Sequence, residues 1–243
     1  MSNIIGNMRK TIQAKNLIEP GDRVAVGLSG GKDSMALLHA LNNFKHYSPI
    51  PFELEAITID LGFNHFDLTR AKAFCETLHI KYHIIPTDIA KIVFEIREEK
   101  NPCALCAKMR RGALATAMKD LNLNVLALGH HEDDALATFF LNMTHSGKLN
   151  TLEYKSFLSK TEIHVIRPFL DTSESDIKGY IHQHMIPVLK SPCPMDKKTK
   201  REEVNQHLKV IFKQFPYSKV SMVTAMRNEE QCNLFINNKA PHQ

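Results

Sequence analysis

Ser29-Gly30-Gly31-Lys32-Asp33-Ser34 is the stretch that decides the fold. It follows a short apolar run, 24–28, that suits a buried strand, and it precedes an apolar run of helix formers, 35–41. Two glycines allow a tight turn and a close approach of the backbone to a ligand. Because the N–H groups at a helix start carry the positive end of the helix dipole, this strand–turn–helix order predicts an anion-binding site.

The same stretch is not a Walker A loop, which has a longer glycine spacing and a Lys followed directly by Ser or Thr. Here Lys32 is followed by Asp33. A carboxylate beside phosphates is tolerated when a divalent cation lies between them, so the sequence predicts Mg²⁺ near Asp33. The hydroxyls of Ser29 and Ser34 and the charge of Lys32 complete the predicted phosphate contacts. The alternative is a glycine turn that joins a strand to a helix and binds nothing.

Length and composition favour a globular cytoplasmic protein. The chain has 243 residues, 43% of them hydrophobic, which is enough for a sizeable core. Its net charge of +5 is compatible with an RNA partner. The first ten residues lack the apolar core of a signal peptide, and no stretch approaches the ~20 apolar residues of a membrane span. Five cysteines without an export signal predict reduced thiols and a cytoplasmic location.

Strand and helix patterns alternate along the chain. After the loop, strands are predicted at 52–60, 81–86, 124–128 and 161–167, and helices at 67–79, 104–120 and 133–144. This alternation predicts an α/β fold with a doubly wound, mostly parallel sheet and a helical C-terminal extension. We expect an N-terminal helix within 1–20, a nucleotide-binding catalytic domain at 21–170 and a C-terminal helical region at 171–243.

Polar residues follow two of the predicted strands. Asp60 ends the second strand, and Gly129-His130-His131-Glu132-Asp133-Asp134 follows the strand 124–128 and opens a helix. Because ligands of parallel sheets bind off the carboxyl ends of the strands, Asp60, Gly129 and His130 are predicted to contact the nucleotide. Helix capping also explains carboxylates at a helix start, and local hydrogen bonds also explain the histidines, so both interpretations stay open here.

Three cysteines form the second informative pattern. Cys103 and Cys106 share one face of a predicted helix with Arg110, and Cys193 follows later in the chain. Positive charge and a helix start favour thiolates, the form that binds metals. A CxxC pair with one further Cys leaves zinc, an iron–sulfur cluster and a redox dithiol open. Asp196 stands where a second CxxC would end, so a Cys₃Asp zinc site is also open.

Five motifs occur in order across nearly the full chain. They are SGGKDS at 29–34, CALCAKMRRG at 103–112, LGHHEDDALATFFLNM at 128–143, VIRPF at 165–169 and SPCP at 191–194. Taken together they resemble the TtcA family of tRNA 2-thiocytidine synthetases. Members of that family are PP-loop enzymes with an adenine nucleotide α-hydrolase-like fold, and they split ATP into AMP and pyrophosphate.

The resemblance implies ATP-dependent thiolation of cytidine 32 in tRNA to 2-thiocytidine. ATP would adenylate the C2 oxygen with loss of pyrophosphate, and sulfur transfer from a [4Fe–4S] cluster would then release AMP. The implied cluster ligands are Cys103, Cys106 and Cys193. Family members commonly carry a Cys at the position of Asp196, so this chain departs from the family there and leaves the fourth coordination site open.

The resemblance also assigns roles to other residues. Lys32 and Arg110 would offset developing negative charge, Asp133 would handle protons or orient the base, and the whole loop 29–34 would hold the pyrophosphate. Asp134 would support this site or bind Mg²⁺. Contacts with tRNA are expected at Arg111, Lys197, Lys198, Lys200 and Arg201.

The implied partners are tRNA and a cysteine desulfurase as sulfur donor, and a homodimer is compatible with the pattern. Two other functions stay open. One is a tRNA 2-thiouridine synthetase, a class that typically carries extra paired-cysteine zinc modules, which this sequence does not show. The other is a non-catalytic PP-loop protein that senses nucleotides or redox state.

Overall fold

The computed structural model describes residues 4–64, 66–97, 101–196 and 199–228. Its strands are β1 Arg23–Gly27, β2 Glu53–Asp60, β3 Tyr82–Pro86, β4 Val125–Ala127, β5 Lys155–Leu158 and β6 Ile163–Ile166. Its α-helices are α1 Ile4–Ala14, α2 Lys32–Tyr47, α3 Thr69–Thr77, α4 Pro102–Asp120, α5 Glu132–Leu141, α6 Glu174–Gln183, α7 Lys200–Gln214 and α8 Ser218–Arg227, and π-helical turns span Lys91–Ile96 and Asn142–Ser146.

The six strands form one sheet in the order β3-β2-β1-β4-β6-β5. Every neighbouring pair is parallel except β5 with β6. The predicted α/β fold with a doubly wound, mostly parallel sheet is therefore confirmed. The chain runs outward from β1 through β2 to β3 and then returns to β4 on the other side of β1. This reversal places a crevice at the carboxyl ends of β1 and β4, where open α/β sheets bind ligands.

The central strand β1 is buried on both faces of the sheet. Val24 and Val26 pack into the main core with residues of α1, α2 and α6. Ala25 points the other way, into a second cluster that holds Met118 of α4. A strand covered by helices on both sides has a continuous apolar sequence, as the run before the glycine loop has.

Most predicted elements are confirmed within a few residues of their expected ends. The C-terminal extension is helical, formed by α6, α7 and α8. Cys75 is fully buried on α3, as predicted for an inert thiol, and burial raises its pKa to about 11. Among the described residues, no helix is long and apolar enough to cross a membrane. The proposed domain boundaries stay a prediction.

Two features were not predicted from the sequence. The strand β5 pairs antiparallel at the sheet edge, and its Phe157 is exposed. Because an edge strand of four half-exposed residues has little apolar alternation, its sequence resembles a loop. The π-helical turn Lys91–Ile96 follows β3 and likewise lacks a sequence signal of its own.

Candidate active site

The loop between β1 and α2 is closed by its own polar groups. Ser29 Oγ lies 3.1 Å from Ser34 Oγ, and Ser34 Oγ donates to the carbonyl of Gly31 at 3.0 Å. These hydroxyls hold the shape of the loop. Gly31 is the N-cap residue of α2, and no side chain caps the helix there. The first amides of α2 are therefore available to an anion.

Gly129 lets the end of β4 approach this loop closely. A Cβ added at Gly129 would lie 2.8 Å from both the carbonyl carbon and the carbonyl oxygen of Asp33. Backbone atoms cannot move aside as a flexible side chain can, so glycine is required for this packing. The contact places the start of α5 directly beside the start of α2.

His131 lies among three carboxylates that belong to these two helix starts. Its Nε2 is 3.6 Å from Asp33 Oδ1 and 3.4 Å from Asp134 Oδ2, and its Nδ1 is 3.8 Å from Asp133 Oδ2. The side chain is only 7% exposed. Asp134 also accepts a hydrogen bond from the His131 amide at 3.1 Å, which caps α5. His131 therefore links the PP-loop helix α2 to the acidic start of α5.

Asp133 is held by donors from two other helices. Its Oδ2 accepts from the amide of Glu174 at 2.8 Å, and its Oδ1 lies 2.6 Å from Lys219 Nζ. Burial pushes the pKa of Asp133 upward, but these two hydrogen bonds outweigh burial and hold the pKa below its usual value. A carboxylate with a lowered pKa is a weak base, which favours orienting substrate over accepting a proton.

Lys32 is paired with two carboxylates. Its Nζ lies 2.9 Å from Asp33 Oδ2 and 2.9 Å from Glu174 Oε1. Burial raises the pKa of Glu174, but Lys178 and Lys32 outweigh it and lower that pKa to about 2. Burial lowers the pKa of Lys32, but Asp33 and Glu174 more than compensate and raise it. Lys32 and Glu174 are therefore both charged, and a bound phosphate would compete with Glu174 for Lys32.

A cavity of about 1300 Å³ opens beside these groups. Its walls come from the PP-loop, the starts of α5 and α6, the segment 188–196 and one face of α7. Among the lining residues are Lys32, Asp33, His131, Asp133, Asp134, Glu174, Cys103, Cys193 and Asp196. Three of the predicted phosphate-binding residues, Gly31, Lys32 and Asp33, therefore share one cavity with two of the three predicted sulfur ligands.

The third cysteine, Cys106, lies within electrostatic reach of the other two. Burial raises its pKa, Arg110 opposes that shift, and the neighbouring Cys193 and Cys103 add to it. Arg110 does favour the thiolate at Cys106, as expected, but burial outweighs the guanidinium charge and the pKa is raised overall. Within the described ranges, no three His, Cys, Asp or Glu side chains stand at metal-ligand spacing. Thiolates are nevertheless the ligands that iron–sulfur clusters take, and Cys103 and Cys193 line the cavity with Cys106 in electrostatic contact with both.

A protein-family model matches most of this chain, including the glycine loop. The PP-loop domain family matches residues 4–210. This chain belongs to the PP-loop family. It is 38% identical over 224 residues to the tRNA-cytidine(32) 2-sulfurtransferase of Aliivibrio fischeri, covering 91% of this chain and 73% of that protein. It is 37% identical over 220 residues to the enzyme of that name from Neisseria gonorrhoeae, covering 90% and 69%. These relatives place this PP-loop protein in the TtcA family, as its motifs predicted.

Solved structures share the fold of this chain. The U34-tRNA thiolase NcsA from Methanococcus maripaludis with its [4Fe–4S] cluster superposes with a TM-score of 0.74 at 26% identity, covering 91% of this chain and 76% of that one. The NH₃-dependent NAD synthetase from Campylobacter jejuni has a TM-score of 0.53 at 18% identity, covering 96% and 95%. The second likeness shows the fold alone.

Of the residues predicted to contact the nucleotide, six are not among those that line the cavity of this PP-loop protein: Ser29, Gly30, Ser34, Asp60, Gly129 and His130. Asp60 Oδ1 accepts a local hydrogen bond from the amide of Gly62 at 3.0 Å, just after the end of β2. The Nδ1 of His130 is buried without a hydrogen bond to the described residues. Burial lowers the pKa of His130 to about 4, so this imidazole is neutral at physiological pH.

The predicted basic residues have different surroundings. Arg110 and Arg111 are exposed on α4 and make no ion pair with any carboxylate in the described ranges. Lys200 pairs with Glu203 at 2.9 Å. Arg201 lines the cavity and donates to Thr138 Oγ1 at 3.0 Å. The other two, Lys197 and Lys198, lie outside the described residues.

Sequence reasoning did not assign a role to Glu174 or Lys219. Glu174 opens α6, and an acidic residue in a first helical turn is explained by the helix dipole alone. Lys219 lies 86 residues after its partner Asp133 in the chain. No local pattern signals an ion pair between residues so far apart, so only the folded structure reveals it.

Proposed function

We propose that this protein is an ATP-dependent sulfurtransferase that converts cytidine 32 of tRNA to 2-thiocytidine. The observation that carries the proposal is that Lys32 of the PP-loop, Cys103 and Cys193 line one cavity. The relatives named tRNA-cytidine(32) 2-sulfurtransferase support the choice of base and position. A likeness to an iron–sulfur tRNA thiolase supports the use of a cluster.

The chemistry requires that one cavity bind both ATP and the sulfur to be transferred. The C2 carbonyl of cytidine is a poor electrophile whose oxygen leaves badly. In the first step the C2 oxygen attacks the α-phosphorus of ATP, and the bond to pyrophosphate breaks. In the second step a nucleophile at the oxidation level of sulfide adds to C2, the C2–O bond breaks, and AMP departs with that oxygen. Sulfur that arrives as a persulfide must first receive two electrons from an external reductant such as a thiol. A site for triphosphate must therefore lie beside a site for sulfur.

The residues of the PP-loop would carry the first step. The amides at the start of α2 and the Lys32 ammonium would bind the β- and γ-phosphates, with Lys32 exchanging Glu174 for a phosphate oxygen. Asp33 lines the same cavity and is the proposed contact for Mg²⁺. Asp133, held ionised, would orient the base, and Arg201, which lines the same cavity 3.8 Å from Asp134 Oδ1, would contact the tRNA backbone.

Cys103, Cys106 and Cys193 would hold a [4Fe–4S] cluster at the other side of the cavity. These three thiolates would hold the cluster, and the cluster would supply the sulfur for the activated base. Asp196 lines the same cavity, and if its carboxylate bound the fourth iron, that iron would not be open to sulfur. We further propose a cytoplasmic protein that receives its sulfur from a cysteine desulfurase. A homodimer is the proposed assembly, for which the exposed Phe215 and Val220 offer apolar surface.

The proposal is tested with anaerobically reconstituted protein, ATP, a sulfur source and tRNA transcripts that carry either C or U at position 32. Sulfur should enter the C32 transcript only when ATP is present, and the Cys193→Ser variant should not transfer it. Thiolation of a U34-containing transcript with no thiolation of C32 would instead identify a 2-thiouridine synthetase. Absence of tRNA-dependent pyrophosphate release would identify a non-catalytic sensor.

A further inference from the structure

Helix α8 brings a lysine to Asp133 from outside the cavity. Lys219 Nζ lies 2.6 Å from Asp133 Oδ1 and 3.5 Å from Glu132 Oε1. The side chains of Lys219 and Asp133 are each 28% exposed, so water screens their attraction less than that of a surface pair. Asp133 lines the cavity, whereas Lys219 does not. Lys219 is therefore placed to act on a substrate only through Asp133.

The two oxygens of Asp133 are bound from opposite sides. Lys219 binds Oδ1 from α8, and the amide of Glu174 binds Oδ2 from the start of α6. Rotating the carboxylate would break at least one of these hydrogen bonds. Because Glu174 in turn binds Lys32, a continuous chain of contacts runs from α8 through Asp133 to the PP-loop.

Helix α8 is fixed independently of the Lys219 contact. Val223 is buried, and Met222 and Met226 pack on the cluster formed by α5 and α7. Arg227, two helical turns after Lys219, lies 2.6 Å from Asp171 Oδ1 and 3.6 Å from Glu132 Oε2. The position of the Lys219 backbone therefore does not depend on the ion pair that its side chain forms.

We infer that Lys219 is a positioning residue that fixes the orientation of the Asp133 carboxylate at the cavity wall for the adenylation step. Removing Lys219 would leave a partly buried carboxylate with one donor instead of two, free to turn about its side-chain torsions. Misplacing a group at a reacting centre by about 1 Å costs up to roughly a hundredfold in rate. The inference about the rate rests on the proposed function, whereas the inference about orientation does not.

The test compares Lys219→Met, which removes the charge, with Lys219→Arg, which keeps it. Lys213→Met is the matched control, since Lys213 is exposed on α7 and forms no ion pair with the described residues. Turnover of tRNA-dependent pyrophosphate release should fall roughly tenfold to a hundredfold in Lys219→Met. The KM for ATP should stay within about twofold of the unmodified protein, and Lys219→Arg should recover most of the turnover.

A second readout needs no activity. Because Asp133 accepts from the Glu174 amide, hydrogen exchange at that amide should be roughly tenfold faster in Lys219→Met and unchanged in Lys213→Met. Unchanged exchange would overturn the inference, and so would unchanged turnover in an active protein or an equal loss in Lys219→Arg. If the unmodified protein releases no pyrophosphate, the proposed function fails, while amide exchange still decides whether Lys219 orients Asp133.

Discussion

The backbone amide of Leu189 donates a hydrogen bond to the carbonyl of Gly30 at 2.8 Å. Gly30 has φ +80°, and a Cβ there would lie 3.0 Å from the Cβ of Leu189. Cys193 follows Leu189 by four residues, which can span at most about 14 Å. This one backbone contact therefore holds Cys193 near the phosphate-binding loop, and it does so without any metal.

Because the hydrogen bond from Leu189 to Gly30 does not involve a thiol, we expect that Cys193 can be replaced without loss of nucleotide binding. Cys193→Ser should abolish iron retention after anaerobic reconstitution while leaving the Kd for ATP unchanged, because Cys193 is not part of the PP-loop. Cys75→Ala is the matched control, since Cys75 is buried in the main core and should leave the iron content unchanged. Iron analysis and nucleotide titration of the three proteins check this, and full iron in Cys193→Ser would contradict it.

Gly129→Ala should damage the nucleotide site by steric conflict. The new Cβ would lie 2.8 Å from backbone atoms of Asp33, so we expect a loss of about 1–3 kcal/mol in unfolding free energy. Displacing the start of α2 should also weaken ATP binding roughly tenfold. Denaturant unfolding and nucleotide titration provide the measurements.

Gly179→Ala is the control for that substitution. Gly179 lies within α6, where an added Cβ meets nothing within 4 Å. Alanine in an open helical position should raise the unfolding free energy by about 0.5–1 kcal/mol. Equal unfolding free energies and equal ATP affinities in the two variants would show that stability and nucleotide binding do not depend on the close approach of Gly129 to Asp33.

Glu174→Gln should strengthen ATP binding. The Glu174 carboxylate holds Lys32 at 2.9 Å and adds negative charge where phosphates would bind. Removing that charge should lower the Kd for ATP roughly twofold to fivefold, and added salt should shrink the difference. Glu203→Gln, which changes a surface pair on α7, should bind ATP like the unmodified protein. Weaker ATP binding in Glu174→Gln would mean that Glu174 assists the nucleotide rather than competing with it.

The buried His130 predicts a loss of stability in acid. Burial lowers its pKa to about 4, while the unfolded chain has a histidine pKa near 6.5. Between these values the unfolded state binds a proton that the folded state does not bind. The unfolding free energy should therefore fall as the pH drops from about 6.5 to about 4, with up to about 3 kcal/mol from this residue. His130→Gln should flatten that part of the pH profile, and an unchanged slope would contradict the assignment.

The sequence predicts the parts of this protein that depend on local pattern. The strand–turn–helix of the PP-loop, the parallel sheet and the helical C-terminal region all follow from apolar runs and glycine positions. Glycine spacing also predicted an anion site, and the uncapped start of α2 agrees with it. These features are local, since a few consecutive residues determine each of them.

Long-range side-chain contacts were beyond the reach of the sequence. The pairs formed by Lys219 with Asp133 and by Lys32 with Glu174 join residues far apart in the chain. The burial that raises the pKa of Cys106 was beyond the reach of the sequence for a related reason. The Arg110 charge is visible in the sequence, whereas the burial that outweighs it depends on how the cavity walls assemble.

The central claim is that ATP and the three cysteines meet in one cavity. The most direct measurement is a crystal structure of the anaerobically reconstituted protein with a non-hydrolysable ATP analogue, using anomalous scattering to locate iron. The claim predicts an iron peak bound by Cys103, Cys106 and Cys193 in the cavity that also holds the triphosphate on the PP-loop. Iron at another place, or a nucleotide bound on another face of the sheet, would contradict it.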